Sequence, residues 1–435
     1  MKLKIKRTVS VVLFLCIFIL GLIGLYRILS WKDTSGEYFS SFEQLESLPD
    51  DTVDVMALGP SLAYGSFNPA YFWKESGTAS FTMAISGMTQ TSAYYTLKEA
   101  LKTQSPKVIF IESVLFHTDE YLDEGNIYRN TVLMKPSKNN TELILETADK
   151  GDAGKYLFRF PIVHSRYSEL KKNDFVKSTA DKCCLGFTNE YKIEPQDPDY
   201  DILVSDEVTE ISDSTKEWID RIVSLSKEHG FEIVFYSSPQ NILLYYQKIT
   251  NGCYEYLDEL GIKYIDLNKE YLNTGIDYAT DFSDHSHINR FGADKTCEYL
   301  SQYMNANFDL EDHRGDNKYS RWDICSKYDD YVGIDFAIQS AESKEEMISK
   351  ASSYENILVV SRMGEVISVC FNDTKYAGDE NGLTLLIPGF DEYLFANKDI
   401  AYVGDDCIIA SGLEGDIVYI YDAVTGNVVC YKTFE

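Results

Sequence analysis

The sequence predicts an α/β fold with a doubly wound, five-stranded parallel sheet, preceded by a transmembrane helix and followed by a small β or α+β module. Three observations lead to this prediction. Short, nearly continuous apolar runs end at Gly, Pro or Ser, amphipathic helical segments separate them, and closely spaced short strands replace this pattern past residue 309. Strand–helix–strand order of this kind indicates parallel strands joined by right-handed crossovers.

Five apolar runs are expected to form the sheet, at residues 53–58, 81–85, 107–113, 232–239 and 263–267. Segments with helical spacing of apolar residues connect or follow them, at residues 89–104, 212–231, 242–261 and 291–308. Five strands alternating with helices in this order indicate a flavodoxin-like sheet.

The first thirty residues are expected to anchor the chain in a membrane. Lys2, Lys4, Lys6 and Arg7 precede an uncharged apolar run at residues 9–26. Such a run just spans a bilayer, and flanking basic residues stay in the cytoplasm. A cleaved signal peptide is the alternative, but the run is longer than a normal signal and no small-residue cleavage site follows it. We therefore expect residues 1–31 to be an uncleaved anchor of a single-pass cell-membrane protein, with a polar stalk at 32–51 and the bulk of the chain extracellular.

The composition limits the classes of partner that the protein is expected to bind. The formal net charge is −29, which argues against nucleic acid because phosphate binding needs clustered Lys and Arg. An acidic chain suits a cell surface, facing cationic groups or a metal-rich wall polymer, and solubility alone explains it equally well. Nine cysteines without a CxxC pair do not predict zinc, so we expect buried thiols, with one or two disulfides near the C-terminus.

Two long stretches fall outside the sheet pattern. Residues 114–210 lose the periodicity and are interpreted as an insertion on the ligand-binding face of a domain that covers residues 52–309. Residues 310–435 begin with a charged linker and continue as a helical piece and short strands with glycine turns, which predicts a β-rich accessory module. We see no catalytic constellation in that module.

Ser61 is the candidate nucleophile. The first predicted strand stops abruptly at Gly59 and Pro60, and Ser61 follows at once. A hydroxyl at the carboxyl end of a strand lies where open α/β sheets bind their ligands. An ordinary turn or helix-capping serine is the alternative.

The candidate base lies in the segment DFSDHSHINRFGADK, residues 281–295. Asp284 and His287 stand three residues apart, so the carboxylate can orient one imidazole nitrogen while the other faces Ser61. Three alternatives stay open: His285 as the base with Asp281 as its partner, a metal site built from these acids and histidines, and a purely structural loop.

The order of these motifs resembles that of the SGNH/GDSL hydrolase superfamily. Its blocks match Ser61 in GPS, Gly87 in ISGM, and Asp284 and His287 in DHSH. The tail HINRFGADK is similar to that of membrane-anchored members related to D-alanyl-lipoteichoic acid transfer proteins and alginate-type O-acetyltransferases. The resemblance implies that Ser61 is the nucleophile, His287 the base and Asp284 its orienting carboxylate. It also implies an oxyanion hole formed by the amides of Ser61 and Gly87.

One block departs from the family pattern. The superfamily's third block ends its strand with an oxyanion-hole Asn, whereas this chain has Glu112 and Ser113. Either Ser113 replaces that Asn or the hole has two donors. The candidate substrate-binding residues are Ser113, Arg166 and Asn289, with a salt bridge as the plainer role for Arg166. Glu112 and His117 are expected to be structural.

Two functions compete at this point. The first is an extracytoplasmic, membrane-anchored serine esterase or O-acyltransferase of cell-wall or surface polysaccharide, working beside a membrane-bound acyltransferase and needing no cofactor or metal. The second is a non-catalytic surface protein that binds polysaccharide or a partner protein. If the protein is the enzyme, fluorophosphonates should label it in a manner that depends on Ser61. Its activity should also rise with pH as a histidine base loses its proton.

Overall fold

The computed structural model describes residues 2–30, 41–117, 124–175, 184–354, 356–363, 366–372, 374–379, 381–390, 393–397, 399–404, 406–409, 416–423 and 426–434. The chain divides into two compact units, Met1–Ser326 and Lys327–Glu435. The first unit therefore extends past residue 309, where the sequence pattern changes.

The first unit contains the predicted parallel sheet. Its strands are β1 (Val55–Gly59), β2 (Ser80–Ala84), β3 (Val108–Glu112), β4 (Glu232–Ser237) and β5 (Lys263–Asp266). They are all parallel and lie in the order β2-β1-β3-β4-β5, which is the flavodoxin-like order. The fold-class prediction is confirmed. The strand order reverses between β1 and β3, so the carboxyl ends of these two strands mark the switch point of the sheet.

Helices cover both faces of this sheet. In chain order the α-helices among the described residues are α1 (Lys2–Leu29), α2 (Ser41–Glu46), α3 (Ser61–Ser66), α4 (Pro69–Ser76), α5 (Gln90–Ala100), α6 (Glu124–Val132), α7 (Lys138–Thr147), α8 (Ala153–Phe158), α9 (Phe160–Val163), α10 (Tyr200–Leu203), α11 (Asp213–His229), α12 (Leu244–Leu260), α13 (Tyr271–Thr274), α14 (Arg290–Asn307), α15 (Ser320–Gln339) and α16 (Lys344–Ser352). One core packs α5, α11 and α12 on the sheet, and a second packs α4 and α14 on the opposite face. Burial on both faces explains why the strands are apolar without alternation.

Helix α1 contains the stretch Val9–Leu29, which has a mean hydropathy of 2.8 and is exposed over residues 9–21. Within the described residues it is the one helix long and apolar enough to cross a membrane. Of the predicted stalk, residues 32–40 lie outside the described residues. Residues 41–46 form α2, whose Phe42 and Leu45 are buried against the first core.

The predicted charged linker after residue 309 is wrong in part, because residues 320–339 form α15. Trp322 on this helix is fully buried, packs against Trp73, and donates its indole N–H to the Ser80 carbonyl. A tryptophan that completes the core overrides the polar pattern around it.

The described residues of the insertion contain five short α-helices. Its pieces α6 to α10 follow one another with short 3₁₀ turns, and α7 packs on α5 through the buried Leu143. Thr82 of the edge strand β2 donates its backbone N–H to the Leu185 carbonyl, so the end of the insertion covers part of that strand's open edge.

The second unit is an antiparallel β module. Its strands are β6 (Ile357–Met363), β7 (Val366–Phe371), β8 (Thr374–Ala377), β9 (Leu383–Leu386), β10 (Tyr393–Ala396), β11 (Ala401–Val403), β12 (Asp406–Ile409), β13 (Asp416–Asp422) and β14 (Asn427–Phe434). They form two sheets, β14-β13-β6-β7-β8 and β12-β11-β10-β9. The first sheet packs one face on α16 and the C-terminal half of α15, and an apolar core with residues from both sheets covers its other face. The predicted β-rich module is confirmed.

The cysteines are mostly thiols. Cys325 is disulfide-bonded, while six other described cysteines carry no disulfide. Cys183 lies outside the described residues.

Candidate active site

Ser61 lies at the switch point of the sheet, immediately after β1. The absence of a side chain at Gly59 allows β1 and β3 to approach closely here. A Cβ at position 59 would lie 2.6 Å from the Glu112 Cβ and 2.9 Å from the Ala63 Cβ. A side chain at position 59 would therefore push β1 away from β3. The Gly-Pro-Ser sequence lets the chain turn sharply from the strand into α3.

A cavity of about 470 Å³ opens at this edge. Ser61, Gly87 and His287 all line it, together with residues from the insertion and from the segment after β4. Asn126 on α6 represents the insertion, and Gln240 follows β4. The cavity is large enough to hold a small acyl group and part of its carrier.

Three side chains form a hydrogen-bonded chain beside the cavity. Nε2 of His287 lies 2.7 Å from the Ser61 Oγ, and Nδ1 lies 3.0 Å from each carboxylate oxygen of Asp284. His287 and Asp284 are partly exposed, at 32% and 43% of their side chains. The arrangement can pass a proton from the hydroxyl to the imidazole while the carboxylate fixes the ring tautomer.

Asp284 is held as a carboxylate. Its partial burial raises its pKa, but hydrogen bonds from the backbone N–H groups of Ser286 and His287, together with the imidazole, outweigh this and keep the pKa below its ordinary value. The carboxylate thus fixes both the backbone of the turn and the ring.

The conformation of the segment 281–295 depends on three residues outside the Ser–His–Asp chain. Asn289 caps α14 by accepting from the N–H groups of Phe291 and Gly292, and its own amide donates to the Thr280 carbonyl. Lys295 binds the buried carboxylate of Asp281 at 2.5 Å. A Cβ at Gly292 would meet the Asp281 carbonyl oxygen at 2.6 Å. The residues of the HINRFGADK sequence therefore act as a brace: they stabilise the conformation of the turn that carries His287.

These contacts favour Asp284 over Asp281 as the partner of a histidine base. Asp281 pairs with Lys295, and its oxygens also accept from the Asp277 N–H and the Thr280 hydroxyl. The structure does not bring it together with His285, which lines the cavity. No cluster of acids, histidines and cysteines fit to hold a metal ion occurs among the described residues.

The structure gives the three candidate substrate-binding residues other contacts, and for Arg166 these include a salt bridge, its plainer predicted role. Ser113 is buried and hydrogen-bonds the Tyr236 carbonyl and the Tyr254 hydroxyl, so it cannot replace an oxyanion-hole Asn. Asn289 is buried and serves as the helix cap described above. Arg166 is buried, pairs with Asp174 at 2.9 Å and donates to the Leu29 carbonyl at the end of α1. None of the three lines the Ser61 cavity.

Glu112 and His117 have structural contacts, as expected. Burial raises the pKa of Glu112 to about 8, although the N–H groups of Ser238 and Val114 oppose the shift. Burial lowers the pKa of His117 to about 4, and its ring bonds Thr250 at 2.7 Å. His117 lines the cavity but stays neutral at physiological pH.

Gly87 supplies the opposite wall of the site. Its φ of +67° lies in the left-handed region that favours glycine, and it is exposed to the cavity. Its carbonyl accepts a hydrogen bond from the Asn130 amide of α6. The insertion therefore fixes the loop that carries Gly87.

Comparisons with known proteins add little to this geometry. No family model matches the sequence, and no curated protein matches it. Among solved structures, the chain is similar to a "putative acylhydrolase" from Bacteroides fragilis, with 12% identity, 64% of this chain and 98% of that chain covered, and a TM-score of 0.30. It is also similar to an acetyl xylan esterase from Butyrivibrio proteoclasticus, with 12% identity, 60% and 65% coverage, and a TM-score of 0.26. At such scores the likeness carries no argument, so function is inferred from the site itself.

Three residues near Ser61 escaped sequence reasoning. Tyr64 lies one helical turn after Ser61; burial raises its pKa, and the nearby Ser86 and Ser61 side chains oppose the shift. Asn126 and Arg129 lie on α6 beside Gly87. The i, i+3 spacing of Ser61 and Tyr64 was a usable signal, because α3 places them on one face. The insertion as a whole was expected on the ligand-binding face, but nothing in the sequence singles out α6 or these two side chains.

Proposed function

We propose that this protein is a membrane-anchored serine esterase or O-acyltransferase. The observation that supports it is the hydrogen-bonded chain from Ser61 through His287 to Asp284 at the mouth of the cavity. A hydroxyl, an imidazole and a carboxylate in this order are the parts that acyl transfer through a covalent serine ester requires.

The first half of the reaction forms an acyl-enzyme. His287 Nε2 takes the proton of Ser61 as its Oγ attacks the ester carbonyl carbon. The carbonyl oxygen becomes negatively charged and is met by the backbone N–H groups that we assign to it, those of Ser61 and Gly87. The imidazolium then gives its proton to the departing alcohol, the C–O bond of the ester breaks, and the acyl group remains on Ser61.

The second half consumes the acyl-enzyme. His287 removes a proton from water or from an acceptor hydroxyl, whose oxygen attacks the acyl carbon. Water gives a free acid, while a sugar hydroxyl gives a new ester. The proton returns to Ser61, and the enzyme is restored. Asp284 stays ionised throughout and stabilises the imidazolium.

Three observations support the membrane location and the substrate class that we propose. Helix α1 is apolar enough to span a bilayer, and the basic residues before it favour a cytoplasmic N-terminus. The disulfide at Cys325 is typical of chains outside the reducing cytosol. The motif order resembles the membrane-anchored branch of the SGNH/GDSL hydrolases. We therefore assign the substrate to cell-wall or surface polysaccharide, with a membrane-bound acyltransferase as the partner that supplies acyl groups.

The test compares ester turnover by the full-length protein in detergent with that of Ser61→Ala. We expect release of 4-nitrophenol from 4-nitrophenyl acetate by the wild type and a loss of at least 10³-fold in the variant. Ser224→Ala, an exposed serine on α11, serves as the matched control and should keep full activity. Equal turnover by the wild type and Ser61→Ala would refute the proposal.

A further inference from the structure

We propose that residues 157–175 of the insertion form a collar that binds the bilayer surface, and that Phe158, Tyr167 and Phe175 enter its headgroup region. The partner is the lipid surface itself, on the side of the membrane where α1 ends. The inference rests on the membrane anchoring that we propose for α1, and it is independent of the chemistry at Ser61.

The collar contacts the end of α1. Helix α9 and the two 3₁₀ turns that follow it, His164–Ser168 and Lys172–Phe175, all pack on α1. Arg166 donates from Nη1 to the Leu29 carbonyl oxygen at 2.6 Å, and the Leu29 side chain is buried. The last residue of the apolar stretch of α1 is therefore bonded directly to the collar.

The length of α1 sets the depth of this contact. The stretch Val9–Leu29 has 21 residues. At a rise of about 1.5 Å per residue it is about 31 Å long, which matches a bilayer core of about 30 Å. If α1 spans the bilayer, Leu29 therefore lies at the boundary between the hydrocarbon and the headgroups, and so does the guanidinium of Arg166.

Two of the collar's aromatic residues lie at the same depth. Arg166 pairs with Asp174 at 2.9 Å, and Tyr167 and Phe175 are the residues that follow these two in sequence. Consecutive Cα atoms are about 3.8 Å apart, so both aromatic residues begin within one residue of the ion pair that holds Leu29. Their side chains are long enough to reach the headgroups from there.

The collar reverses the usual distribution of polar and apolar side chains. Three times a charged residue is buried while its aromatic neighbour in sequence is exposed. The exposed fractions are 8% and 61% for Arg159 and Phe158, 8% and 74% for Arg166 and Tyr167, and 7% and 64% for Asp174 and Phe175. Single exposed apolar residues are ordinary on a surface in water, but charged side chains are rarely the buried member of such pairs. This reversal suits a surface that faces the membrane interface, where aromatic side chains are enriched.

Hydrogen bonds hold the reversed arrangement in place. Arg159 connects α8 to α9 with a φ of +57°, in the left-handed region. Its guanidinium donates to the carbonyl oxygens of Val132 and Met134 and to the side chain of Asn140. Arg159 therefore stays inside, and Phe158 stays exposed at this corner.

The charge of the collar also suits a lipid surface. Residues 157–175 contain four Lys and Arg residues against two acidic ones, although the whole chain has a formal charge of −29. Lys171 is exposed. Basic residues beside a membrane-spanning helix are attracted to anionic headgroups.

The collar is connected to the Ser61 cavity through one small core. Tyr156 of α8 and Ile162 of α9 pack with Ile127 and Val132 of α6. The same helix α6 carries Asn126, which lines the Ser61 cavity. Binding of the collar to the bilayer would therefore fix one wall of the cavity relative to the membrane, which favours a substrate held near the membrane over one free in solution.

Photo-crosslinking tests the proposal in the full-length protein. Benzoylphenylalanine replaces Phe158, Tyr167 or Phe175, one at a time, and the protein is reconstituted into vesicles of equal parts phosphatidylcholine and phosphatidylglycerol. After illumination, mass spectrometry measures the yield of lipid adducts. We expect adducts at all three positions, at least tenfold above those at His229 and Leu260. These controls are exposed and end α11 and α12, at the sheet edge opposite Ser61.

Leu20 of α1 is the reference position, since it lies within the apolar stretch and is 66% exposed. Adducts at Leu20 without adducts at the collar would overturn the inference and leave the anchor intact. A lack of adducts at Leu20 would refute the membrane anchoring and the collar together, whereas failure of the proposed chemistry shows itself as absent ester turnover. In membranes of the expressing cells, protein adducts in place of lipid adducts at the collar would assign it to a partner protein and overturn the proposal.

A second comparison separates binding by the collar from tethering by α1. Phe158→Glu with Phe175→Glu should lower the lipid-adduct yield at position 167 at least tenfold, because carboxylates resist entry into the interface. His229→Glu with Leu260→Glu should leave that yield unchanged. Because Phe158 and Phe175 are exposed and lie outside the Ser61 cavity, the unfolding midpoint and the turnover of 4-nitrophenyl acetate should stay at wild-type values. An unchanged adduct yield in Phe158→Glu with Phe175→Glu would show that α1 alone keeps the collar near the lipid, and would overturn the proposal.

Discussion

The Ser61 hydroxyl lies 2.7 Å from Nε2 of His287, although 226 residues separate the two in sequence. β1 places the serine at the sheet edge, and the turn before α14 places the histidine opposite it. The contact therefore depends on two separate structures, the sheet and the braced turn, and each can be perturbed on its own.

Asp284→Asn tests the orienting role of the carboxylate. The amide oxygen can still accept from the N–H groups of Ser286 and His287, but the amide NH₂ would face Nδ1 and favour the wrong imidazole tautomer. We expect kcat to fall by roughly 10²–10⁴-fold with little change in the unfolding midpoint. Steady-state turnover of 4-nitrophenyl acetate measures the change in kcat. Asp312→Asn, an exposed acid paired with Arg314, is the control; unchanged kcat in Asp284→Asn would remove Asp284 from the mechanism.

Lys295→Met tests the brace of the turn. The substitution leaves the Asp281 carboxylate, 2% exposed, without its cation. Because Lys295 itself is 36% exposed, we expect a loss of roughly 1–3 kcal/mol in the free energy of unfolding, less than for a fully buried pair. Denaturant unfolding measures it. Adding Asp281→Asn should recover part of the loss. Identical stability of the single variant and the wild type would show that the pair does not brace the turn.

Glu112 should make stability depend on pH. Burial raises its pKa to about 8, so the folded state keeps a proton that the unfolded state releases above an ordinary value near 4.5. The unfolded state therefore binds fewer protons between about pH 5 and 8, and the stability contribution of Glu112 falls as pH rises. Relative to Glu112→Gln, we expect the wild type to lose up to about 1.4 kcal/mol per pH unit in this window.

The measurement is the free energy of unfolding of both proteins across that pH range. Glu228→Gln, an exposed glutamate on α11, is the control and should follow the wild type. Parallel curves for the wild type and Glu112→Gln would contradict the assigned protonation of Glu112.

The elements with strong local signals were predictable from sequence. Continuous apolar runs mark strands buried on both faces, and Gly230 and Gly261 end α11 and α12 in the left-handed conformation, as expected for C-caps. The three-residue spacing of Asp284 and His287 was enough to propose their contact, because a tight turn joins them.

Other features depend on packing that no local pattern records. The polar segment around Trp322 becomes helical because the tryptophan fills a gap beside Trp73. Arg166 forms a salt bridge, as its plainer predicted role required, but the burial of this pair with Asp174 depends on the fold. Asn126 and Arg129 lie in a segment without clear periodicity, and their place beside Gly87 follows only from how the insertion folds back on the sheet.

The central claim is that Ser61 is a nucleophile activated by His287, and covalent labelling tests it most directly. The full-length protein in detergent is treated with a fluorophosphonate, and the modified residue is located by peptide mass spectrometry. We predict one adduct on Ser61, absent in Ser61→Ala and formed at least 10²-fold more slowly in His287→Ala. Labelling that persists in Ser61→Ala, or a wild-type protein that takes up no label, would contradict the claim.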